Sequence, residues 1–347
     1  MAKIAVEFEQ ALARHGATAG RPLARLLAAG EGWTVEDLVC RSGPQDRPFE
    51  ERHSLVSIAI VLAGTFQYRA ANGRRGAGEL MTPGSVLLGN AGEHFECGHE
   101  HGVGDRCLSF RYTSDYFENI AADSGAGRGE RVFRMLRLPV VRALSPLVAR
   151  ARAGLPANSG RLDDSSSGIS WEELAIQLAA STLRLANRTR RDVRDAQPSA
   201  VARVTRAVRM IEESRESELT VGRLAHEARL SPYHFLRIFV QLTCVTPHQY
   251  VRRARLRDAA MRLAAERAKV SDIALDCGFG DVSNFNRAFR SEFGLSPREF
   301  RAQRSKYGLK LERRSRYCPI ANSAVSREPP PYPVAVYLQP KASPQRR

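Results

Sequence analysis

The chain has 347 residues, 43% of them hydrophobic, and a formal net charge of +16. That length and apolar content suit two or three cored domains and exclude a disordered or fibrous chain. Six cysteines are too few for a disulfide scaffold, and no apolar run approaches the roughly 18 residues of a membrane span, so cytoplasm and reduced thiols are expected.

The charge is unevenly placed. Residues 199–306 hold 20 Lys and Arg against 12 Asp and Glu, and residues 307–347 hold 8 against 2, leaving a net +2 for residues 1–198. A basic excess gathered in the carboxy-terminal half is the footprint expected of a polyanion-binding surface.

Residues 1–30 are Ala-rich and read as a helical arm. The character then changes. Trp33-Thr34-Val35 and Val39, Leu55 to Leu62 with Phe66-Gln67-Tyr68 continuing it, Val86-Leu87-Leu88, and Cys107 to Tyr112 read as short strands. Asn72-Gly73 is a hairpin signal and Thr82-Pro83-Gly84 a second turn. The pattern is all-β, a small barrel or jelly roll.

One stretch here could carry chemistry. In His94-Phe95-Glu96-Cys97-Gly98-His99-Glu100-His101, a strand would turn Cys97, His99 and His101 to one face, and Cys107 would return beside them after a glycine turn. Two imidazoles and two thiols are a plausible tetrahedral set for zinc or another thiophilic metal. No CxxC pair supports it, and a polar loop with buried thiols, a redox-reactive thiol pair or an organic effector pocket fits the same residues. No general base, cofactor loop or P-loop is present, so the expected function is not enzymatic.

Residues 115–155 read as helical around a Gly-rich Ser124–Gly129, and Asn158–Ser170 as a flexible connection. Trp171, Leu174, Ala175, Leu178, Thr182 and Leu185 form an amphipathic stripe that would pack on the β-domain or, as the family resemblance of the following segment implies, pair with its twin in a homodimer. Gln197-Pro198-Ser199 reads as a linker. The domain boundaries expected are 1–130 for the β-rich domain with its arm, 131–198 for a helical linker region, 199–306 for an all-α domain, and 307–347 for a disordered basic tail with seven prolines from Pro319 to Pro344.

The all-α segment contains one unit written twice. Leu224-Ala225, Phe235, Arg237, Phe239, Thr246-Pro247 and Tyr250 are answered by Ile273-Ala274, Phe285, Arg287, Phe289, Ser296-Pro297 and Phe300. The offset is 49 at Leu224/Ile273 and 50 from Phe235/Phe285 onward, so the second copy has one extra residue in its turn. Each copy reads as a helix-turn-helix. Thr220 and Ser231 cap the helices of the first, Ser271 and Asp281 those of the second, and Gly294 ends the last. The second helix of each pair buries Phe235, Ile238, Phe239 and Leu242, or Phe285, Ala288 and Phe289, and turns a polar face outward. Arg237 suits a guanine edge or a phosphate, and Tyr233 and Leu236 suit thymine methyls. Between the units Thr246-Pro247 opens a helix to about Glu266, whose Arg252, Arg253, Arg255 and Arg257 read as a solvated or phosphate-facing edge.

From Val201 to Arg304, and most diagnostically at Ile273-Ala274, Gly278-Phe279, Asp281, Ser283, Phe285, Arg287, Phe289, Phe293-Gly294, Ser296-Pro297 and Phe300-Arg301, the chain resembles the DNA-binding domain of AraC/XylS-family bacterial transcription regulators. The resemblance implies base contacts from Tyr233, Leu236 and Arg237 and from Val282, Ser283, Asn286 and Arg287. It implies double-stranded DNA, RNA polymerase and a small effector as partners, and a cupin-like sensor domain ahead of the DNA-binding one. Asn284, Asn286 and Cys244 depart from the pattern, where an aromatic, a serine and a glycine are usual. The overall fold class expected is α+β, with a cupin-like β-barrel or jelly roll before the two helix-turn-helix units.

Overall fold

The computed structural model describes residues 22–70, 78–124, 132–155, 170–188, 197–214 and 219–303. The expected hairpin turn at Asn72-Gly73, the Gly-rich and Ser-rich connections and the Pro-rich tail lie largely or wholly outside these residues.

Among the described residues the amino-terminal half has ten strands: β1 Leu23–Gly30, β2 Trp33–Cys40, β3 Phe49–Arg52, β4 Val56–Gly64, β5 Phe66–Ala70, β6 Glu79–Met81, β7 Val86–Gly89, β8 His94–Gly98, β9 Asp105–Tyr112 and β10 Arg137–Leu138. They form two antiparallel sheets, of order β1-β2-β9-β4-β7-β10 and β3-β8-β5-β6. Alternation along a strand sends neighbouring residues to opposite faces. Val56, Ile58, Ile60 and Leu62 of β4 therefore join one core with Leu108, Phe110 and Tyr112, while Ala59 and Val61 join a second with Phe66, Tyr68, Met81 and Cys107 between the sheets. A strand buried on both faces needs an uninterrupted apolar run, and β4 supplies one.

Three helices, α1 Ser114–Asp123, α2 Ser145–Ala153 and α3 Trp171–Arg188, cover the outer face of the larger sheet. The α3 stripe is spent there: Leu174, Ala175, Leu178 and Thr182 are fully buried within this chain, and the Tyr112 hydroxyl donates to the Ala175 carbonyl at 2.9 Å.

Three expectations are corrected. Residues 23–30 are a strand, because pairing with β2 along their length overrides the helix propensity of Leu and Ala; the rest of the expected arm, residues 1–21, lies outside the described residues. Phe66-Gln67-Tyr68 does not continue β4. Gly64 takes φ 78°, where a Cβ would come within 2.3 Å of the Gly104 carbonyl oxygen, and the chain crosses there into the second sheet. Gln197-Pro198 is no linker, for Pro198 is the first residue of a helix, a position where its missing N–H costs nothing.

The carboxy-terminal half is helical: α4 Pro198–Glu213, α5 Val221–Glu227, α6 Pro232–Thr243, α7 Pro247–Ala265, α8 Val270–Asp276 and α9 Val282–Phe293, with residues 297–303 helical beyond them. It has two cores, one per helix pair. Leu80 and Val140 from the amino-terminal half enter the first, and Ala149 packs against the second. No helix among the described residues is long and apolar enough to cross a membrane.

Candidate nucleic-acid interface

In the first unit the Thr220 hydroxyl accepts the Arg223 N–H at 3.2 Å and starts α5. Arg229 then takes φ 52°, and the Ser231 hydroxyl accepts the His234 N–H to start α6, with Pro232 as its first residue. Phe235, Ile238, Phe239 and Leu242 are buried on the inner face of α6. Its outer face leaves Tyr233 79%, Leu236 36% and Val240 39% exposed, beside an exposed Arg237. Among the described residues Arg237 has no hydrogen-bond or ion-pair partner. An exposed aromatic and an unpaired guanidinium on one helix face form a binding surface in search of a partner.

The second unit repeats the plan. Lys269 stands at the N-cap of α8, so Ser271 is not the cap; it lies within the first turn, where its hydroxyl donates to the Asp272 carboxylate at 3.0 Å. Gly278, at φ 83°, makes the turn that Arg229 makes in the first copy, and Phe279 folds back into the core. The Asp281 carboxylate accepts the Asn284 N–H at 2.7 Å and starts α9. Inside, Phe285, Phe289, Phe293 and Phe300 pack in tilted and edge-on pairs with ring centroids 4.5–5.7 Å apart. Outside, Ser283, Asn286 and Arg287 are exposed and Val282 is half-buried. A groove of 1430 Å³ runs along this face, lined by Val282, Asn286, Arg287 and Arg290 together with Lys269 and Arg298. Cations on its walls suit it to an anion.

The two units are joined by α7, which opens with a capping box between Thr246 and Gln249. Its 19 residues span about 29 Å at about 1.5 Å per residue. Of Arg252, Arg253, Arg255 and Arg257, only Arg252 is a solvated edge. Arg253 donates to the Val140 carbonyl, Arg255 to the Gly278 carbonyl at 2.7 Å, and Arg257 pairs with Glu212 at 2.7 Å. The expectation of a phosphate-facing row is therefore corrected: long stems let three guanidiniums reach acceptors on neighbouring elements.

The matches to known proteins fall on this surface. A family model described as a helix-turn-helix domain matches residues 224–303, which include α6 and α9. The probable transcriptional regulator LumQ of Photobacterium leiognathi is 41% identical over 91 residues, 26% of this chain and 36% of that protein. The HTH-type transcriptional activator RhaS of Escherichia coli O139:H28 is 35% identical over 106 residues, 30% of this chain and 38% of that protein. Residues 224–303 therefore form a helix-turn-helix domain similar to those of AraC-type transcription regulators. A solved AraC-type regulator from Chromobacterium violaceum is 29% identical with a TM-score of 0.30, covering 32% of this chain and 98% of that one. The chain spans about a third of the length of the curated relatives it matches, from 32% to 38%. The structure also accounts for one departure from the AraC/XylS pattern. Cys244 sits at φ 65° after α6, as Gly294 sits at φ 78° after α9, so a left-handed position is filled here by a residue with a Cβ.

The four residues expected to hold a metal are not gathered as a set. Cys97 lies on β8 and Cys107 on β9, with His99 and His101 in the turn between them. The His99 Nε2 lies 2.6 Å from Asp105 Oδ2, and the Cys107 thiol donates to Asp105 Oδ1 at 3.2 Å. Burial alone would lower the His99 pKa, but the hydrogen bond and charge of Asp105, with Cys40 beside it, push it up to about 10. Burial, and then the Asp105 charge, push the Cys97 and Cys107 thiols up. His101 stands apart, its Nε2 3.9 Å from the Glu100 carboxylate and its carbonyl accepting from Arg209. Among the described residues the group whose ligand atoms all lie within 4.8 Å of one another is Cys40, His99 and Asp105. Sequence spacing signals Asp105 weakly, two residues before Cys107 on one strand face. Only strand register brings in Cys40.

Proposed function

We propose that this protein regulates transcription by reading a specific double-stranded DNA site with α6 and α9 in successive major grooves, held apart by α7. The supporting observation is that two copies of one unit present equivalent faces on which Arg237 and Arg287, 50 residues apart, are exposed and have no partner among the described residues. Arg237 and Arg287 reach guanine edges, Asn286 an adenine edge, and Tyr233, Leu236 and Val282 the methyl-bearing faces of thymines, while Ser283 bonds a base or phosphate. The α7 length of about 29 Å is close to the roughly 34 Å of one duplex turn, so both helices address one side of the DNA.

The amino-terminal half acts as the sensor: a small effector bound there shifts the placement of the reading helices, alone or in a homodimer, and so alters recruitment of RNA polymerase in the cytoplasm. Its contacts with both helix-turn-helix units support that coupling.

Selection of bound duplexes from a random pool by the full chain tests the reading. The expected result is a bipartite motif with two clusters about one helical turn apart. Arg237→Ala and Arg287→Ala should each weaken the selected site about 5- to 150-fold, each relaxing a different cluster, in line with the roughly 1–3 kcal/mol of a guanine contact. An unenriched pool, or a uniform loss on all sequences, would make the basic surface a non-specific DNA coat.

A further inference from the structure

Where the two sheets meet at one end of the β-domain, three strands deliver a compact set of ligand atoms. Cys40 closes β2 and Asp105 opens β9, and the two are paired in the β2–β9 register, so their side chains leave the sheet on the same face. Cys107, two residues on along β9, shares that face. His99 enters from the turn after β8. That turn is pinned: the Gly102 N–H donates to the His99 carbonyl, and the Gly104 N–H to the Ser42 carbonyl at 2.8 Å.

The set is dry. Cys40, His99 and Asp105 are 6%, 4% and 6% exposed, and their ligand atoms all lie within 4.8 Å of one another. A purely structural role explains the set poorly. A buried histidine–carboxylate pair carries a desolvation penalty that hydrophobic packing would avoid. Here the pairing is also incomplete, because His99 Nδ1 is buried without a hydrogen-bond partner among the described residues, as is the Ser42 hydroxyl beside the turn. The Asp105 carboxylate is held from both sides, by the His99 ring at 2.6 Å and the Cys107 thiol at 3.2 Å.

We infer that Cys40, His99 and Asp105 form a zinc site, with Cys107 orienting the Asp105 carboxylate. One thiolate, one imidazole and one carboxylate are the borderline ligands that zinc takes, whereas calcium and magnesium prefer all-oxygen shells. Binding releases the Cys40 thiol proton to water and leaves a thiolate on the metal. Cys107, bonded to a ligating carboxylate, acts as an outer-shell partner, whose loss loosens such sites about 10- to 100-fold. The site is independent of the DNA reading: a chain that fails to select duplexes still holds zinc, and the reverse.

The full chain, stripped with a chelator, is titrated with Zn(II) and separately with Co(II). One equivalent of Zn(II) should bind against a chromophoric chelator, and one of Co(II) should give the thiolate-to-metal charge-transfer band of a cysteine-ligated ion. Cys40→Ser should abolish the band, while Cys107→Ser should retain it and weaken Zn(II) binding about 10- to 100-fold. X-ray absorption of the wild-type protein loaded with one equivalent of Zn(II) should show at least one sulfur, at about 2.3 Å, beside nitrogen and oxygen ligands. This last measurement decides even where a variant fails to fold. The inference is overturned by absence of the band in the wild type, by its persistence in a folded Cys40→Ser protein, or by a shell without sulfur or of sulfur alone.

Discussion

Arg137 is the largest fully buried side chain of the amino-terminal half, and it is an arginine. Its Nε donates to the Glu79 carboxylate at 2.9 Å, and its Nη2 to the Leu242 carbonyl at 2.9 Å, in the last turn of α6. Replacing it with Met keeps most of the stem's volume and removes the charge. Glu79, 8% exposed, then loses the Arg137 charge, and loss of one member of a buried pair costs about 3–5 kcal/mol. Glu79→Gln removes the charge on the other side. In Arg137→Met/Glu79→Gln no uncompensated charge remains, so the double variant should be more stable than the two single losses summed, with a coupling of about 1–3 kcal/mol. The assay is urea unfolding of the full chain, followed by far-ultraviolet circular dichroism and by fluorescence of Trp33 and Trp171. A loss below about 1 kcal/mol for Arg137→Met, or simple additivity of the two changes, would refute the reasoning. Arg137→Met should also weaken DNA binding, because it releases the end of a reading helix without touching its outer face.

Two further outcomes follow from backbone and burial. Cys244→Gly should stabilise the first unit and Gly294→Ala should destabilise the second, each by about 0.5–1 kcal/mol: a left-handed residue with a Cβ costs about 1–2 kcal/mol, of which the glycine's extra freedom when unfolded returns about 0.5–1. A Cβ at Gly294 meets nothing within 4 Å, so that change isolates the backbone effect, and paired thermal melts check both signs. His53, whose Nε2 lies 2.6 Å from the Tyr68 hydroxyl oxygen and whose ring stacks on Phe95 at 4.1 Å, is held neutral by burial and then by the Arg111 charge, its pKa lowered to about 4. The unfolded chain takes up that proton near pH 6.5 and the folded chain only near pH 4, so the stabilisation is present above pH 6.5 and lost as the pH falls between them. The loss amounts to about 3 kcal/mol, and His53→Gln should flatten this limb of a stability–pH curve.

The carboxy-terminal half was legible because its structure is written locally. Caps, turn glycines and the 3.6-residue stripe lie within a few positions of one another, and Thr220, Ser231, Thr246, Asp281 and Gly294 all do in the structure what their residue types suggest. Ser271 failed only by a shift within one turn. Among the strands, β2, β4, β7 and β9 follow their apolar patterns, whereas Leu23–Gly30 was misread because its composition favours helix and its strand state comes only from β2. What stayed hidden depends on long-range geometry. Arg253, Arg255 and Arg257 look like a solvated row until the carbonyls and carboxylate they reach are in place. Cys40 lies 59 positions before His99, with no spacing rule to link them, and strand register alone unites them.

That same geometry bears on how α6 and α9 are spaced. A short segment of the amino-terminal half touches both. Arg137 donates to the carbonyl of Leu242 near the end of α6, and the Ser145 hydroxyl donates to the carboxylate of Glu292 near the end of α9. Leu242 and Glu292 are 50 positions apart, the repeat distance of the duplicated unit, so one strap grips both copies at the same point of their plan. Midway, the Val140 carbonyl accepts from Arg253 of α7, and Arg253 lies 3.5 Å from Glu292. Two segments thus bridge α6 and α9: α7 within the carboxy-terminal half and residues 137–145 from the other half. Under the proposed function, these contacts are the lever by which a ligand in the β-domain acts on α6 and α9. Any shift of residues 137–145 relative to the larger sheet then pulls on the carboxy-terminal ends of both at once, the ends that fix the angle at which their outer faces are presented.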